Sequence, residues 1–300
     1  MLTFGQDELD DLLEVKDEIL YHYTSYSVLP EFLKDDAELY CTTSEVLNDP
    51  MEVLLGANMF ADYLHEKGKL DDLRRKTMRR HINESIEKRW IDTWVMSLSS
   101  KGDDLAQWRG YVPSAQGGYA IGFNVKKLRD ALEKITGIAR SGKTMSIPCL
   151  VKCWYSESDA KNIESLFSFQ YKENKKEFDN YANVPSDMLT DDVVSPVMST
   201  IIPTCMHIKH EGFKDEGESR IVISPRSLEA YSSVKILGGK ARLPVGFKAI
   251  DLKVRDCIDK IIVSPHGNQA SLLSQVNWLQ RKCKGIFKIK ESTIPYDPSR

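Results

Sequence analysis

Two short segments carry the residue types and spacings that could do chemistry. The first is Tyr21-His22-Tyr23-Thr24-Ser25, and the second runs from Phe213 through Glu216-Gly217-Glu218-Ser219-Arg220 to Ile221-Val222-Ile223. On an extended chain His22 and Thr24 share one face, and Tyr21 and Tyr23 the other. A neutral imidazole donates from one ring nitrogen and accepts on the other, which suits paired hydroxyls such as those of a ribose. In the second segment Glu216 and Glu218 share a strand face, and Arg220 continues it and could pair with either. Two carboxylates on one face can divide work, one ionised to stabilise a developing cation and the other raised in pKa by its neighbour. The apolar run Ile221–Ile223 predicts a central strand, with the carboxylates at the mouth of a buried sheet. The plain structural alternatives are a polar edge strand with its aromatics packed inward and a solvated charged turn before a buried strand.

Other residues could line the same site. Trp108 and Arg109, within Gln107-Trp108-Arg109-Gly110-Tyr111, combine an aromatic face for a nucleobase or nicotinamide ring with a guanidinium able to grip a diphosphate. Trp packing beside a surface Arg is the structural alternative. Gly117-Gly118 before Tyr119 permits a close backbone approach to a ligand, or simply a tight turn. Arg74, Arg75, Lys76, Arg79 and Arg80 set five fixed positive charges within seven residues, the density that attracts phosphate. Asp71, Asp72, Glu84 and Glu87 flank the run, as they would on a solvated helix face. Cys205, His207 and His210 form the one local cluster with metal-ligand types. It has no visible second half, so no metal site is assigned.

The elements that must position these residues read as follows. Leu9, Leu12, Leu13 and Ile19 give residues 7–19 a helical face. Strands are expected at Ile19–Tyr23, Leu39–Thr42, Val95–Ser99, Tyr119–Phe123, Cys149–Tyr155, Arg220–Ser224, Val234–Leu237 and Ile261–Ser264, with a closing strand in Gly285–Pro295. Short helices are expected at Ser27–Lys34 and Lys126–Ile135, with an amphipathic helix at Ser271–Arg281. Asn48-Asp49-Pro50 marks a turn. Residues 51–94 have a helical texture interrupted at Gly68, and 157–200 a second one broken by Pro185 and Pro196. Strands dispersed among helices without a βαβ period predict an α+β fold, not a doubly wound sheet. The whole, 1–300, reads as a single domain with a helical insertion at about 51–94 and a second helical segment at about 157–200.

Composition narrows the classes. The chain is 41% apolar and 28% charged with a formal net charge of −3, which argues against a nucleic-acid coat and gives no attraction to a membrane. The N-terminus is acidic where a signal peptide would be basic, and no run approaches the roughly 18 apolar residues of a spanning helix. The expectation is a cytoplasmic protein without a membrane partner. Six scattered cysteines, without a CxxC pair, fit reduced and buried thiols. The sequence contains no GxSxG, P-loop or GxGxxG, which disfavours hydrolase, kinase and Rossmann readings.

Leu20–Ser25, Asn48–Glu52, Val95–Ser99 leading to Trp108 and Tyr111, Gly118–Phe123, Glu216-x-Glu218-x-Arg220 and Ser292–Tyr296 together resemble a bacterial family known as domain of unknown function 2971. A looser resemblance carries chemistry. Tyr21–Ser25 is similar to the Tyr-His-x-Thr strand of ADP-ribosyltransferases related to diphtheria toxin and the poly-ADP-ribose polymerases. Leu39–Ser44 is similar to their nicotinamide-side segment, and Glu218–Ile223 to the late strand that begins with their catalytic glutamate. That resemblance implies a split β-sheet with helical insertions and NAD as a substrate. It gives His22 and Thr24 to the adenosine-side ribose, Tyr40 or Tyr119 to nicotinamide stacking, and Glu218 to stabilisation of the ribosyl cation, with Glu216 beside it. Trp108, Arg109 and Arg220 join the cofactor-binding set. The family's Ser-x-x-Tyr step is replaced after Ser44 by Glu45-Val46-Leu47.

Three functions compete on this reading. The first is an ADP-ribosyltransferase or NAD glycohydrolase acting as an effector in bacterial anti-phage defence or a toxin system, with a macromolecular acceptor or defence-system partner. The second is an inactive nucleotide- or nucleic-acid-binding sensor using Arg74–Arg80, Trp108 and Arg109. The third is a metal-dependent nuclease built from Asp49, Glu216, Glu218 and the Cys205, His207 and His210 cluster.

Overall fold

The computed structural model describes residues 14–43, 52–87, 93–112, 116–140, 146–185, 188–225, 232–250 and 252–296. From the N-terminus, β1 (Ile19–Ser25) leads to α1 (Leu29–Phe32) and β2 (Tyr40–Thr43). Helices α2 (Glu52–Glu66) and α3 (Asp72–Glu87) follow, then β3 (Trp94–Ser99), α4 (Leu105–Tyr111), β4 (Gly118–Asn124), α5 (Val125–Arg140) and β5 (Ser146–Lys152). After β6 (Trp154–Tyr155) come α6 (Ala160–Glu173), α7 (Lys175–Asn183), α8 (Asp191–Cys205) and β7 (Ile208–Lys209). A 3-10 turn at Glu211–Glu216 precedes β8 (Glu218–Pro225). The hairpin strands β9 (Lys235–Leu237) and β10 (Lys240–Pro244), then β11 (Ile258–Val263), α9 (Gln269–Lys282) and β12 (Lys288–Glu291), complete the described chain. The expected turn at Asn48–Pro50, the residue Asp49 and most of the expected N-terminal helix lie outside the described residues.

The chain divides into two units. One comprises Thr42–Val95 and Val151–Asp215 with the N-terminal stretch Met1–Glu14, and the other Val15–Cys41, Met96–Leu150 and Glu216–Arg300. In the first unit α2 buries Val53, Gly56, Ala57, Phe60, Ala61 and Leu64, a stripe at helical spacing. Phe60 anchors it, packing edge-on against Phe167 at 4.8 Å and against Phe178 at 5.4 Å. The interruption at Gly68 is a residue at φ +65°, where glycine avoids the steric cost of a Cβ.

Pro196 was expected to break a helix, yet α8 runs through both Pro196 and Pro203. Each proline forfeits one backbone hydrogen bond. The buried stripe Val194, Val197, Met198 and Ile201 outweighs that loss, because each such side chain gains about 1.5–3 kcal/mol on burial.

The second unit is built on a ten-stranded sheet among the described residues. Its order is β12-β11-β4-β1-β3-β2-β10-β9, with β8 pairing β3 and β5 off this path. The pairs β1/β3, β1/β4, β11/β4 and β9/β10 are antiparallel, and β11/β12 is parallel. This is the mixed, largely antiparallel sheet of an α+β protein. Every residue of β4 from Gly118 to Phe123 is buried, and Ile221, Val222 and Ile223 of β8 are buried too. The apolar runs in the sequence therefore do mark interior strands. A Cβ on Gly118 would sit 2.0 Å from the Thr24 carbonyl oxygen. The close backbone approach that Gly118 permits is thus to the chain's own β1.

Candidate functional site

His22 lies on β1 and is half-buried. Its Nδ1 is 3.2 Å from the Ser97 carbonyl oxygen on β3. A carbonyl can only accept, so Nδ1 carries the proton, and in the neutral ring Nε2 is the acceptor. Burial pushes the His22 pKa below its ordinary value. The Ser97 hydrogen bond opposes that shift, and the positive charge of Arg242 reinforces it. Near neutral pH, His22 is therefore a neutral imidazole of fixed tautomer. Thr24, two residues on, is 7% exposed.

Glu216 and Glu218 do not share a strand face, contrary to the sequence expectation. Glu216 ends the 3-10 turn, Gly217 takes φ +53°, and the strand begins only at Glu218. The left-handed residue breaks the alternation that a continuous strand would have imposed. The turn is fixed to the end of β3: the Ser99 hydroxyl donates to the Glu216 carbonyl at 2.6 Å, and the Ser100 N–H donates to the Gly217 carbonyl at 2.9 Å. The Tyr111 hydroxyl donates to Glu216 Oε1 at 3.3 Å.

Glu218 and Arg220 do share a face, and they pair. Arg220 Nε donates to Oε1 at 2.8 Å and Nη2 to Oε2 at 3.1 Å. The two residues are 5% and 1% exposed. The carboxylate therefore stands inside the sheet, not at its mouth. A guanidinium fork matches a carboxylate's two oxygens, and a buried charge needs such a partner. Both β1 and β8 pair with β3, and Tyr21 stands opposite Ser99 while Gly217 bonds Ser100. His22 and Glu218 thus stand on strands that both pair with β3 near its end, but the same register sets Glu218 across from Ser99, on the face of Tyr21 and not that of His22.

The aromatic candidates fall into different places. Trp108 is fully buried, meeting Tyr23 edge-on at 4.7 Å and donating from Nε1 to Asp103 at 2.8 Å. Tyr119 is fully buried, its hydroxyl 2.9 Å from the Leu272 carbonyl and 2.6 Å from Gln275 Oε1. Both rings serve the core and offer no face to a ligand in this conformation. Arg109 is exposed and lies 4.9 Å from the Tyr296 ring centre. Tyr40 is half-buried on β2, with Lys235 Nζ 5.9 Å from its ring centre and 3.4 Å from its hydroxyl.

Asp103 was missed by the sequence reading. It accepts from Trp108, from the Ser292 hydroxyl at 2.6 Å, from the Thr293 N–H at 2.8 Å and from the Thr293 hydroxyl at 3.2 Å. Burial alone would raise its pKa, but these donors hold the carboxyl below its ordinary value. Only the Asp103-Asp104 pair ahead of a helix hinted at it, and Asp104 is the residue that caps α4.

The remaining candidates lie in the first unit. Arg74 to Arg80 are on α3. Arg74 pairs with Asp71, Arg75 with Asp62 at 3.4 Å and Asp72 at 3.1 Å, Arg79 with Asp62, and Arg80 with Glu84 at 3.8 Å. Arg74 also donates to the Val184 carbonyl at 2.8 Å. Lys76 is exposed. Much of the run's charge is therefore matched by carboxylates of its own unit. Cys205 ends helix α8 and His207 lies in the turn before β7, so strand alternation does not bring the two onto one face. Among the described residues no group of three or more His, Cys, Asp or Glu side chains is placed to hold a metal ion. No helix among them is long and apolar enough to cross a membrane.

No curated protein and no solved structure matches the chain. The family resemblance read from the sequence holds over a defined segment, which contains Trp108, Tyr111, Gly118–Phe123 and Glu216–Arg220. Residues 107–221 match the model of the family described as protein of unknown function (DUF2971).

Proposed function

We propose that the second unit is an ADP-ribosyltransferase-like split sheet that takes NAD as a substrate, transferring or hydrolysing its ADP-ribosyl group as an effector in bacterial defence or a toxin system. The observation that supports this reading is that His22 and Glu218, 196 positions apart in the chain, stand on strands that both pair with β3. His22 brings an acceptor nitrogen of fixed tautomer, suited to a ribose hydroxyl. Glu218 brings a carboxylate held in one geometry by Arg220. A fixed negative group beside a developing ribosyl cation lowers the barrier without reorganising, and such a contact is worth about 10²–10³ in rate.

Of the aromatic candidates, Tyr40 is the one that retains an accessible ring on this unit, so it takes the nicotinamide-stacking role in preference to Tyr119 and Trp108. Glu216, set apart by Gly217, is a candidate for orienting the acceptor. The test is nicotinamide release from NAD by the purified protein, with and without cell extract as acceptor source. Wild type should release nicotinamide, and Glu218→Gln should lose turnover while still binding NAD. NAD bound without release under any condition would return the protein to the sensor reading. Release by Glu218→Gln at the wild-type rate would remove Glu218 from the mechanism.

A further inference from the structure

The hairpin β9–β10 opposes two cations. Arg242 and Lys235 are register partners across the pair, so their side chains leave the same face with Cβ atoms about 5 Å apart. Like charges directly opposite one another destabilise a hairpin. Among the described residues neither cation has a carboxylate partner. Two other cations of this unit are paired, Arg220 with Glu218 and Lys253 with Asp35 at 2.8 Å. Arg242 is half-buried, not splayed into solvent. β10 pairs β2, and Lys235 reaches across to Tyr40 on that strand. The charge of Arg242 is felt at both His22 and Cys41. Two unmatched cations on one face, beside a half-buried tyrosine and a neutral histidine, form a site with a surplus of donors and no anion.

We propose that Arg242 and Lys235 bind the diphosphate of a nucleotide, with Tyr40 stacking on the group attached to it. This deepens the NAD reading, on which the identity of the nucleotide rests, by supplying the phosphate contacts that His22 and Glu218 cannot make. An arginine fork bonds two phosphate oxygens at once, and a lysine beside it adds a point charge. The bound anion would also relieve the repulsion between the two cations.

The test uses the full chain and four probes: NAD, ADP-ribose, inorganic pyrophosphate and phosphate-free adenosine. Titration calorimetry and thermal unfolding are followed for wild type, for Lys235→Gln/Arg242→Gln, and for the charge-preserving swap Lys235→Arg/Arg242→Lys. The wild type should bind ADP-ribose and pyrophosphate, and both should raise its melting temperature. The double Gln variant should bind ADP-ribose about 10- to 100-fold more weakly, the scale of a lost charged hydrogen-bond pair. Its affinity should also depend less steeply on salt. Without ligand its melting temperature should equal or exceed that of wild type, and the swap should retain affinity within about threefold if charge is the main requirement. Undiminished binding by the double Gln variant overturns the inference and leaves the NAD reading standing. Pyrophosphate binding that the double variant loses, in a protein releasing no nicotinamide, upholds the inference and removes the catalytic reading. A wild type that binds none of the phosphate probes also overturns it.

Discussion

Replacing Arg220 should damage the fold severely. Arg220 is 1% exposed and Glu218 5%, and they are joined by bonds of 2.8 and 3.1 Å. Arg220→Met leaves the carboxylate buried without its guanidinium, and breaking such a pair from one side typically costs about 3–5 kcal/mol. At about 2–4 °C per kcal/mol for a body of 150–250 residues, a cost of ~3 kcal/mol lowers the melting temperature by roughly 6–12 °C. Glu218→Gln keeps the shape and an acceptor oxygen but strands the guanidinium opposite a neutral amide, so its cost should be smaller. The double variant Glu218→Leu/Arg220→Met removes both charges and should lose less than the two single losses added together, because an apolar pair of similar volume avoids their desolvation. Urea and thermal unfolding of wild type, Arg220→Met, Glu218→Leu and the double variant close the cycle. An Arg220→Met variant within about 0.5 kcal/mol of wild type, or a strictly additive double variant, would refute this account of the pair. The result also fixes how activity is read: lost turnover in Glu218→Gln bears on catalysis only if the protein remains folded at the assay temperature.

Three further outcomes follow from the geometry. Arg75→Glu/Arg79→Glu sets two new carboxylates around Asp62, now paired with both arginines, and should cost about 1 kcal/mol in urea unfolding, part of it recovered by adding Asp62→Asn. Asp103→Asn should loosen Ser292–Tyr296 from α4, raising amide exchange at Thr293 and costing about 1–3 kcal/mol. Because Asp103's folded pKa is depressed, the stability it contributes is present above its ordinary value of 3.8 and lost as pH falls through the lower folded value, so Asn should flatten the acid limb there. His22 also has a depressed pKa. Below about 6.5, its ordinary value, the unfolded state takes up the proton first and stability falls until the folded ring titrates, whereas His22→Asn should remove that slope.

The interior strands were legible because burial on both faces leaves an unbroken apolar run, as in Gly118–Phe123 and Ile221–Ile223. The break at Gly68 was legible because glycine alone takes its left-handed conformation without cost. Glu216 was misplaced for the same kind of reason. Gly217 was read as a strand residue, yet its positive φ ends the turn, and nothing in Glu-Gly-Glu distinguishes the two conformations. Trp108 and Tyr119 have the composition of a stacking platform, but the sequence does not say which side of a ring meets the core. The pairing of Arg220 with Glu218 was open to the i, i+2 rule, whereas its burial depends on β3 and β5 lying to either side. Asp103 was invisible because its partners at Ser292 and Thr293 are about 190 positions away. The opposed cations of Lys235 and Arg242 depend on hairpin register, which the strand pairing supplies.

The most direct measurement is a crystal structure of the protein with NAD bound. The account predicts the dinucleotide lying across the sheet at the end of β3, with an adenosine-side ribose hydroxyl within hydrogen-bond distance of His22 Nε2. It also predicts the Glu218 carboxylate within about 3–3.5 Å of the nicotinamide ribose, as a reacting geometry requires. A dinucleotide touching neither His22 nor Glu218 would contradict it.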